Sequence, residues 1–441
     1  MFTPMFSTPD AERRTGGRAW LQAMLDFEAA LARAQARAGL VPPEAAHEIG
    51  AHCRAELFDL DSISRRAVGP ATPVIALVDD LGSRLGPDAR RWVHLGATSQ
   101  DVLDTAAMLI ARRTLEQVLA DLRAAARRCA ELAREHRDSP VIGRSLLQQA
   151  LPTTFGRRCA GWLVSLTDTT AALHHVVERR LAVQLGGPVG TCGALGERGP
   201  EVLRRLAAEL GLAEPVAPWH TDRTRVAELA GALGTSAGAL GKIALDVELH
   251  AQTEVGELAE GSAGGSSAMP HKRNPAGSVL ISAAAHRAPG LVATLLAAMP
   301  QAYERGAGSW QAEQEPLVEL LRLAAAAASG ARRLLGGLRV DAARMAANLE
   351  LTGGLITAGS AAEALLPLGR AEAQGLVREL CERVTVDGGT LRAAMLADER
   401  VRAVLSEQEV RAATDPAGHL GAAREFVDRA LAHHDSEGTR R

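Results

Sequence analysis

Aromatic residues are scarce, at 3% of 441 residues with a single tyrosine, Tyr303. A core with so few rings must pack through Ala and Leu, which suits helices in close contact. Lysine is scarcer still: Lys242 and Lys272 are the two lysines among 49 basic residues. An arginine bias of that strength reflects a GC-rich genome, so one arginine carries little information and a lysine carries more. Five cysteines (Cys53, Cys129, Cys159, Cys192 and Cys381) are odd in number and form no CxxC pair. With no His/Cys cluster at metal-ligand spacing, a disulfide framework and a structural zinc site are both excluded. No unbroken run of 18 apolar residues occurs, and the N-terminus lacks a basic region followed by an apolar run. The expectation is a soluble cytoplasmic protein with no membrane partner. Neither sign of charge dominates: 49 basic against 52 acidic residues give a net charge of -3. A nucleic-acid partner and a polyanionic tail are therefore not expected.

What is present is helical periodicity. Leu21, Leu25, Ala29 and Leu31 share a stripe within residues 17–39, which Gly39 and Pro42 end. Residues 44–90 break into short helical pieces at Gly69, Pro70, Pro73 and Gly82. From Asp101 to Asp138 there is neither Gly nor Pro, and Leu103, Met108, Ile110, Leu115, Leu119 and Leu122 recur at three-to-five spacing. Long helical patterns follow over 150–183, 222–260, 276–298 and 311–337, and no strand alternation matches them in strength. Gly231, Gly234, Gly238 and Gly241 fall on one side of a helix. Each weakens that helix by about 1 kcal/mol, and close helix–helix approach is the compensating reading; compositional drift is the other. Helices this long cannot bury their apolar faces in one ordinary bundle, so a core shared between subunits is expected. The predicted class is all-α. Its domains are an N-terminal one over 1–104, a central long-helix bundle over 105–339 and a small C-terminal one over 340–441, with a frayed tail from His433.

Three polar segments interrupt the helices: 94–105 (HLGATSQDVLDT), 184–193 (QLGGPVGTCG) and 261–275 (GSAGGSSAMPHKRNP). The third is a Gly/Ser loop followed by His271, Lys272, Arg273 and Asn274. A cationic cluster at a helix start suits a carboxylate-rich ligand; a solvated linker has the same composition.

GSSAMPHKRNP at 265–275 closely resembles the signature loop of the fumarase/aspartase superfamily, GSSxMPxKxNP. TSQDVLDTA at 98–106 and GRSLLQQALPTTFG at 143–156 resemble that family's other two signature regions, in the same order. The resemblance implies an all-helical three-domain subunit and a homotetramer built on a long-helix core. It also implies active sites that each draw signature regions from three protomers. The chemistry it implies is proton removal beside a carboxylate, then departure of a group from the adjacent carbon. Fixed cations and N–H donors stabilise the carbanion. By the same resemblance Ser266 is the base, Lys272 and Asn274 stabilise the anion, and Thr98 and Ser99 contact a substrate carboxylate. Ser267, the second serine of the pair, is a further substrate-binding candidate. Loop closure over an electropositive pocket would activate the serine.

Two departures redirect the reading. Most members carry a histidine where this chain has Leu146, and an acidic residue where it has Val279. Neither side chain moves a proton. A carboxylate leaving group, with a pKa near 4, needs no acid, and bacterial 3-carboxy-cis,cis-muconate cycloisomerases of this superfamily also lack the histidine. PATPVIALVDDL (70–81), RRWVHLGATSQDVLDTA (90–106), PWHTDRTRVAEL (218–229) and MPQAYERGAGSWQAEQE (299–315) resemble that subgroup too. The implied activity is lactone formation by intramolecular carboxylate addition. A same-subgroup lyase acting on nitrosuccinate, which would release fumarate and nitrite, fits Leu146 equally well. A catalytically silent helical scaffold is a third reading, disfavoured by Ser266, Lys272 and Asn274.

The remaining candidates for contact with a di- or tricarboxylate are His94, Gln149, His220, Arg223 and Arg305. His94, four residues before Thr98, fits a pocket wall or a hydrogen-bonded core position. His220 lies beside Trp219 and ahead of Arg223 at a helix start. Arg305, in YERGAG, offers a bidentate fork for a carboxylate. No cofactor or metal is expected, because the reaction needs no redox step and no Gly-rich phosphate loop follows a strand.

Overall fold

The stripe at 17–39 becomes helix α1, Gly17–Arg37. Gly39 ends it with φ +72°, a left-handed conformation that glycine adopts without strain. The buried face of α1 carries Leu21, Leu25, Glu28, Leu31 and Gln35, so two polar residues sit in an otherwise apolar stripe. In the computed structural model, residues 1–262, 264–265 and 268–439 are described, with side chains as far as Glu437.

Helix α2, Ser99–Glu135, has 37 residues and spans about 55 Å at 1.5 Å per residue. Helices α3 (Phe155–Arg179), α4 (Thr224–His250), α5 (Ala276–Ala297), α6 (Gln314–Gly336) and α7 (Ala423–Thr439) follow. The chain is all-α in class, as its periodicity predicts, and carries two small sheets. In one, β1 (Pro140–Ser145) pairs antiparallel with β2 (Gln148–Thr154); in the other, β3 (Leu258–Ala259) pairs with β4 (Arg339–Val340).

The first sheet corrects the expectation of helix from residue 150. Val141 is buried, Ile142 packs with Leu349 and Ile356, and Pro152 sits in β2 opposite Ile142, so helix begins only at Phe155. The pattern at 222–260 also ends early. Gly256 turns the chain with φ +61°, and Glu257 N donates to His250 O at 3.0 Å. At the C-terminus, α7 continues through His433 and His434 rather than fraying there, and His434 Nδ1 lies 3.0 Å from Thr167 Oγ1.

Contacts divide the chain into two compact units. The first comprises residues 1–123, 168–242 and 280–332. Within it, the glycines of α4 split in role. A Cβ on Gly241 would stand 2.6 Å from Ala285 Cβ, and one on Gly234 would stand 2.8 Å from Val292 Cγ2. These two glycines admit α5 at close range. Gly231 and Gly238 meet nothing within 4 Å.

The second unit comprises residues 124–167, 243–279 and 333–441. Its C-terminal part has its own apolar cluster, including Leu365, Leu376, Leu380, Leu391, Met395 and Val401.

Candidate functional site

In the first unit the site is organised by the start of α2. Thr98 precedes the helix, and Asp101 in its first turn reaches back: Thr98 N donates to Asp101 Oδ2 at 3.0 Å. An acidic residue at the third helical position commonly satisfies the backbone N–H at the cap in this way. Asp101 does more. Its oxygens also accept from Gly186 N and Gly187 N, both at 3.0 Å, and His220 Nε2 lies 2.6 Å from Oδ1. One fully buried carboxylate therefore joins the TSQD segment, the glycine loop at 186–187 and the PWH segment. Thr98 Oγ1 accepts from Arg305 Nη1 at 2.9 Å, and Arg305 Nη2 donates to Pro188 O at 3.3 Å. Thr98, Arg305 and, through Asp101, His220 are thus brought together, with Ser99 next to Thr98 in sequence.

His94 lies in the turn that leads into this group. It has φ +57°, and its Nδ1 stands 2.6 Å from Glu28 Oε1. Burial acts to lower the pKa of His94, but the charges of Glu28 and Asp101 and the Glu28 hydrogen bond outweigh it and raise the pKa.

Arg223 behaves differently from a free cation. It is buried between Asp104 and Glu313. Nε and Nη2 donate to Glu313, Nη1 and Nη2 donate to Asp104, and Nη1 also reaches His220 O at 3.5 Å. Trp310 Nε1 donates to Asp104 Oδ1 at 3.1 Å, and Gln301 Nε2 donates to Glu313 Oε1 at 3.1 Å. The guanidinium also packs over the Trp219 ring, 5.0 Å from its centroid. All five N–H groups of Arg223 are directed at protein acceptors. The network ties α2 to the start of α4 and to the segment that carries Arg305.

The second unit holds the other two signature regions. Residues 143–156 form the hairpin β1–β2 and the start of α3. Its two-residue turn is Leu146–Leu147, with φ +50° and +64°. Two-residue hairpins favour this left-handed pair, normally with Asn or Gly, so leucine is strained here. Both are exposed, Leu146 at 97% and Leu147 at 75%. Behind the turn, Arg144 and Gln149 face each other in register.

Arg144 forms a two-pronged pair with the buried Glu257, at 2.8 and 3.1 Å. Glu257 also accepts from Asn348 Nδ2 at 2.7 Å and lies 2.5 Å from His250 Nδ1. Arg158 donates to His250 Nε2, which fixes that imidazole as neutral with its proton on Nδ1. Burial acts to raise the Glu257 pKa, but the His250, Arg144 and Asn348 hydrogen bonds pull it down to about 2. Gln149 Nε2 donates to Asn348 O at 3.1 Å, while its buried Oε1 has no partner.

Ser266 and Ser267 lie outside the described residues. Around them, Gly264 and Asn274 exchange two backbone hydrogen bonds of 2.9 Å, so the stem of the loop is closed. Glu260 accepts from Gly277 N (3.0 Å), Ser278 N (2.8 Å) and Ser278 Oγ (2.6 Å). It thereby anchors the start of α5 just beyond Lys272 and Asn274. Val279, one residue further, is half exposed.

The sequence reading did not single out Asp101, Asp104, Glu257, Glu260 or Glu313. Asp101 and Asp104 stand within the quoted TSQDVLDTA, and a carboxylate in an apolar helical stripe was the available signal. Glu257 and Glu260 carry no such pattern, because their partners come from distant parts of the chain.

Comparison with known proteins places these segments in a wider set. A family profile described as lyase matches residues 8–290, and one described as adenylosuccinate lyase C-terminus matches residues 354–430. The chain is 48% identical over 428 residues to a 3-carboxy-cis,cis-muconate cycloisomerase of Pseudomonas aeruginosa, covering 96% of this chain and 93% of that protein. It is 42% identical to a nitrosuccinate lyase of Streptomyces davaonensis, covering 98% and 94%. Among solved structures, the crystal structure of a 3-carboxy-cis,cis-muconate lactonizing enzyme from Pseudomonas putida matches with a TM-score of 0.94 at 42% identity, covering 99% of each chain.

Proposed function

The chain belongs to the fumarase/aspartase superfamily of lyases, and from that premise we propose that it is a 3-carboxy-cis,cis-muconate cycloisomerase, a soluble cytoplasmic enzyme. The observation that carries the reading is the pair Leu146 and Val279. The loops keep the signature residues, yet neither of these positions, where most members carry a histidine and its acidic partner, can move a proton. A reaction whose leaving group is a carboxylate tolerates that loss. The nitrosuccinate lyase reaction tolerates it as well. Support for the cycloisomerase over that second reading is the greater likeness, 48% identity against 42%.

In the proposed reaction a substrate carboxylate oxygen forms a C–O bond to the far carbon of a conjugated C=C bond. The π pair moves to the carbon beside a second carboxylate, whose oxygens take up the charge. Ser266 delivers a proton to that carbon and closes the lactone. In reverse, the Ser266 alkoxide removes that proton and the ring carboxylate leaves. Lys272 and Asn274 hold the carboxylate on which negative charge accumulates, where fixed donors act most strongly. Thr98, Ser99 and Arg305 bind a carboxylate at the positive end of α2. Gln149 and Ser267 line the same substrate. His220 and Arg223 act at one remove: His220 is held by Asp101, and Arg223 spends its donors within the protein.

We carry over from the resemblance a homotetramer whose sites combine residues of three protomers. Helix α5 supports it. Its residues are mostly Ala, Leu, Val, Ile and Gly, yet most of them are exposed or only partly buried within one chain. Such a surface is expected to be covered by another copy.

The test is to mix the protein with 3-carboxy-cis,cis-muconate, follow the loss of diene absorbance and identify the product by NMR. A carboxymuconolactone is expected, with turnover abolished in Ser266→Ala while the tetramer persists. Absence of lactone together with fumarate and nitrite release from nitrosuccinate would replace the reading by the second one.

A further inference from the structure

The first turn of α5 needs acceptors that its own flank does not supply. A helix leaves its first backbone N–H groups unpaired, and a Ser, Thr, Asp or Asn at the cap commonly takes one of them. Ahead of α5 stands Pro275, whose side chain has no acceptor. The role falls to Glu260, 17 residues before Gly277. Its Oε2 accepts from Gly277 N at 3.0 Å, and its Oε1 accepts from Ser278 N at 2.8 Å and Ser278 Oγ at 2.6 Å. Both Glu260 and Ser278 are buried. A Cβ on Gly277 would stand 3.0 Å from Glu260 Oε2, so glycine admits the carboxylate at this range.

A buried carboxylate is costly unless its oxygens are met, and here none of the three donors is a cation. What the carboxylate gains is the positive end of the helix. A helix start that follows a cationic segment is a natural seat for a substrate carboxylate, and in this chain Glu260 already occupies it. Substrate charge must then be met by the side chains of the segment itself, and Glu260 serves the reaction by placing them.

It does so from both ends of the segment 261–275. On the entry side Glu260 follows β3, which pairs with β4. A Cβ on Gly261 would stand 2.6 Å from Gly337 O, so the chain leaves Glu260 pressed against the backbone just beyond α6. On the exit side are Gly277 and Ser278. Asn274 lies between these holds. Its N and O each bond Gly264 at 2.9 Å, and its O also accepts from Ala276 N at 2.9 Å. Its backbone is therefore tied to the stem of the loop on one side and to the start of α5 on the other.

We propose that Glu260 is a positioning residue for the reaction: it holds the start of α5 against the base of the loop and so sets where the Asn274 amide meets the carboxylate on which charge accumulates. The proposal rests on the role given to Asn274 above. Glu260 acts on turnover through Asn274, where a displacement of about 1 Å can lower the rate about a hundredfold. Thr98 and Arg305 belong to the first unit, and their hold on substrate does not depend on Glu260.

The test is a double-substitution cycle in the full chain, with Glu260→Gln, Asn274→Ala and the two combined. Lactone formation from 3-carboxy-cis,cis-muconate is followed at steady state, and with enzyme in excess for slow variants. Urea denaturation gives the folded fraction to which kcat is referred. Glu260→Gln keeps the size of the side chain but turns an NH2 group toward N–H donors. It is expected to lower kcat about tenfold or more and to change KM less than about threefold. With Asn274→Ala already present, the same substitution should change kcat less than about twofold, because its route to the reaction is gone. Ser278→Ala removes one of the three donors and should give a smaller loss of the same kind; if Glu260→Gln does not fold, Ser278→Ala replaces it in the cycle. Equal losses of kcat with and without Asn274 would overturn the proposal, since a merely structural role acts regardless of that residue. An unchanged kcat, or a loss confined to KM, would overturn it too. If the parent forms no lactone but releases nitrite from nitrosuccinate, the cycloisomerase reading falls, and the same cycle read on nitrite release decides the Glu260 assignment by the same criterion.

Discussion

Asp101 Oδ1 and His220 Nε2 meet at 2.6 Å with almost no exposure of either side chain to solvent. The same carboxylate takes three backbone N–H groups, so it sets the positions of Thr98, the 186–187 loop and His220 together. Asn at 101 would keep the shape but turn an NH2 group toward donors. Asp101→Asn is expected to lower stability by about 2–4 kcal/mol, the scale for a buried charged acceptor set against unpaired donors. It should also raise KM for 3-carboxy-cis,cis-muconate at least tenfold, because Thr98 loses its anchor. Urea denaturation and steady-state kinetics check both; an unchanged KM would remove Asp101 as the organiser of Thr98.

Arg223 invites a different outcome. Its N–H groups face Asp104, Glu313 and the His220 carbonyl, and burial pushes the pKa of Glu313 up despite the Arg223 hydrogen bonds that oppose it. Removing the cation strands two carboxylates. Arg223→Met is expected to destabilise by about 3–5 kcal/mol, the scale for one partner lost from a buried pair. In the fraction that folds, KM should change less than in Arg305→Met. If Arg223→Met proves stable but fails to bind substrate, the guanidinium contacts substrate directly.

These two residues show what could be read from the chain alone. The long helices were legible because Leu and Ala recur at helical spacing without Gly or Pro, and the three loops were legible because their motifs are long. Thr98 and Arg305 were each readable as a carboxylate contact, from separate segments; that the fold brings the two within 2.9 Å was not. Arg223 looked the same in sequence, since an arginine near a signature segment gives no sign of carboxylates arriving from residues 104 and 313. The hairpin at 140–154 was hidden because its pairing is local while its anchor, Glu257, lies more than a hundred residues away. A helical reading had no means of weighing that contact.

The α4 glycines separate two kinds of packing. Gly241→Ala places a methyl 2.6 Å from Ala285 Cβ, and overpacking of that kind is expected to destabilise by about 1–3 kcal/mol. A Cβ on Gly238 would meet nothing within 4 Å among the described residues. If the open face of α4 meets another copy as the exposed face of α5 is proposed to do, Gly238→Leu should shift the tetramer toward smaller species while each subunit stays folded. Light scattering and circular dichroism read the two effects apart. A tetramer unaffected by Gly238→Leu would place that face outside the assembly.

Leu146 and Leu147 carry left-handed backbone at the tip of the hairpin, at a cost of about 1–2 kcal/mol per residue relative to glycine. Leu147→Gly should therefore stabilise the isolated fold by about that amount. Leu146→His combined with Val279→Glu introduces the histidine and acidic residue that the resemblance assigns to most members of the superfamily. Because a leaving carboxylate needs no acid, the doubly substituted enzyme is expected to form lactone no faster than its parent. A rate increase of tenfold or more would mean that the reaction is limited by a proton transfer that the chain has lost.

The hairpin is held from behind by Glu257, and this makes its stability depend on pH with a definite sign. Burial raises the carboxyl pKa, but hydrogen bonds from His250, Arg144 and Asn348 bring it to about 2 in the folded chain. A free glutamate titrates near about 4.3. A depressed folded pKa contributes stability that is complete above the unfolded value and is lost as pH falls toward the folded one. The contribution should thus be intact at neutral pH and decline between roughly pH 4.5 and 2. Glu257→Gln removes the titrating group. The variant should be less stable at pH 7, by about 3–5 kcal/mol for an orphaned Arg144, and its denaturation midpoint should fall less steeply than the parent's below pH 4.5. Parallel slopes in that window would show that Glu257 does not titrate there and that the Arg144–Glu257 pair does not hold the turn.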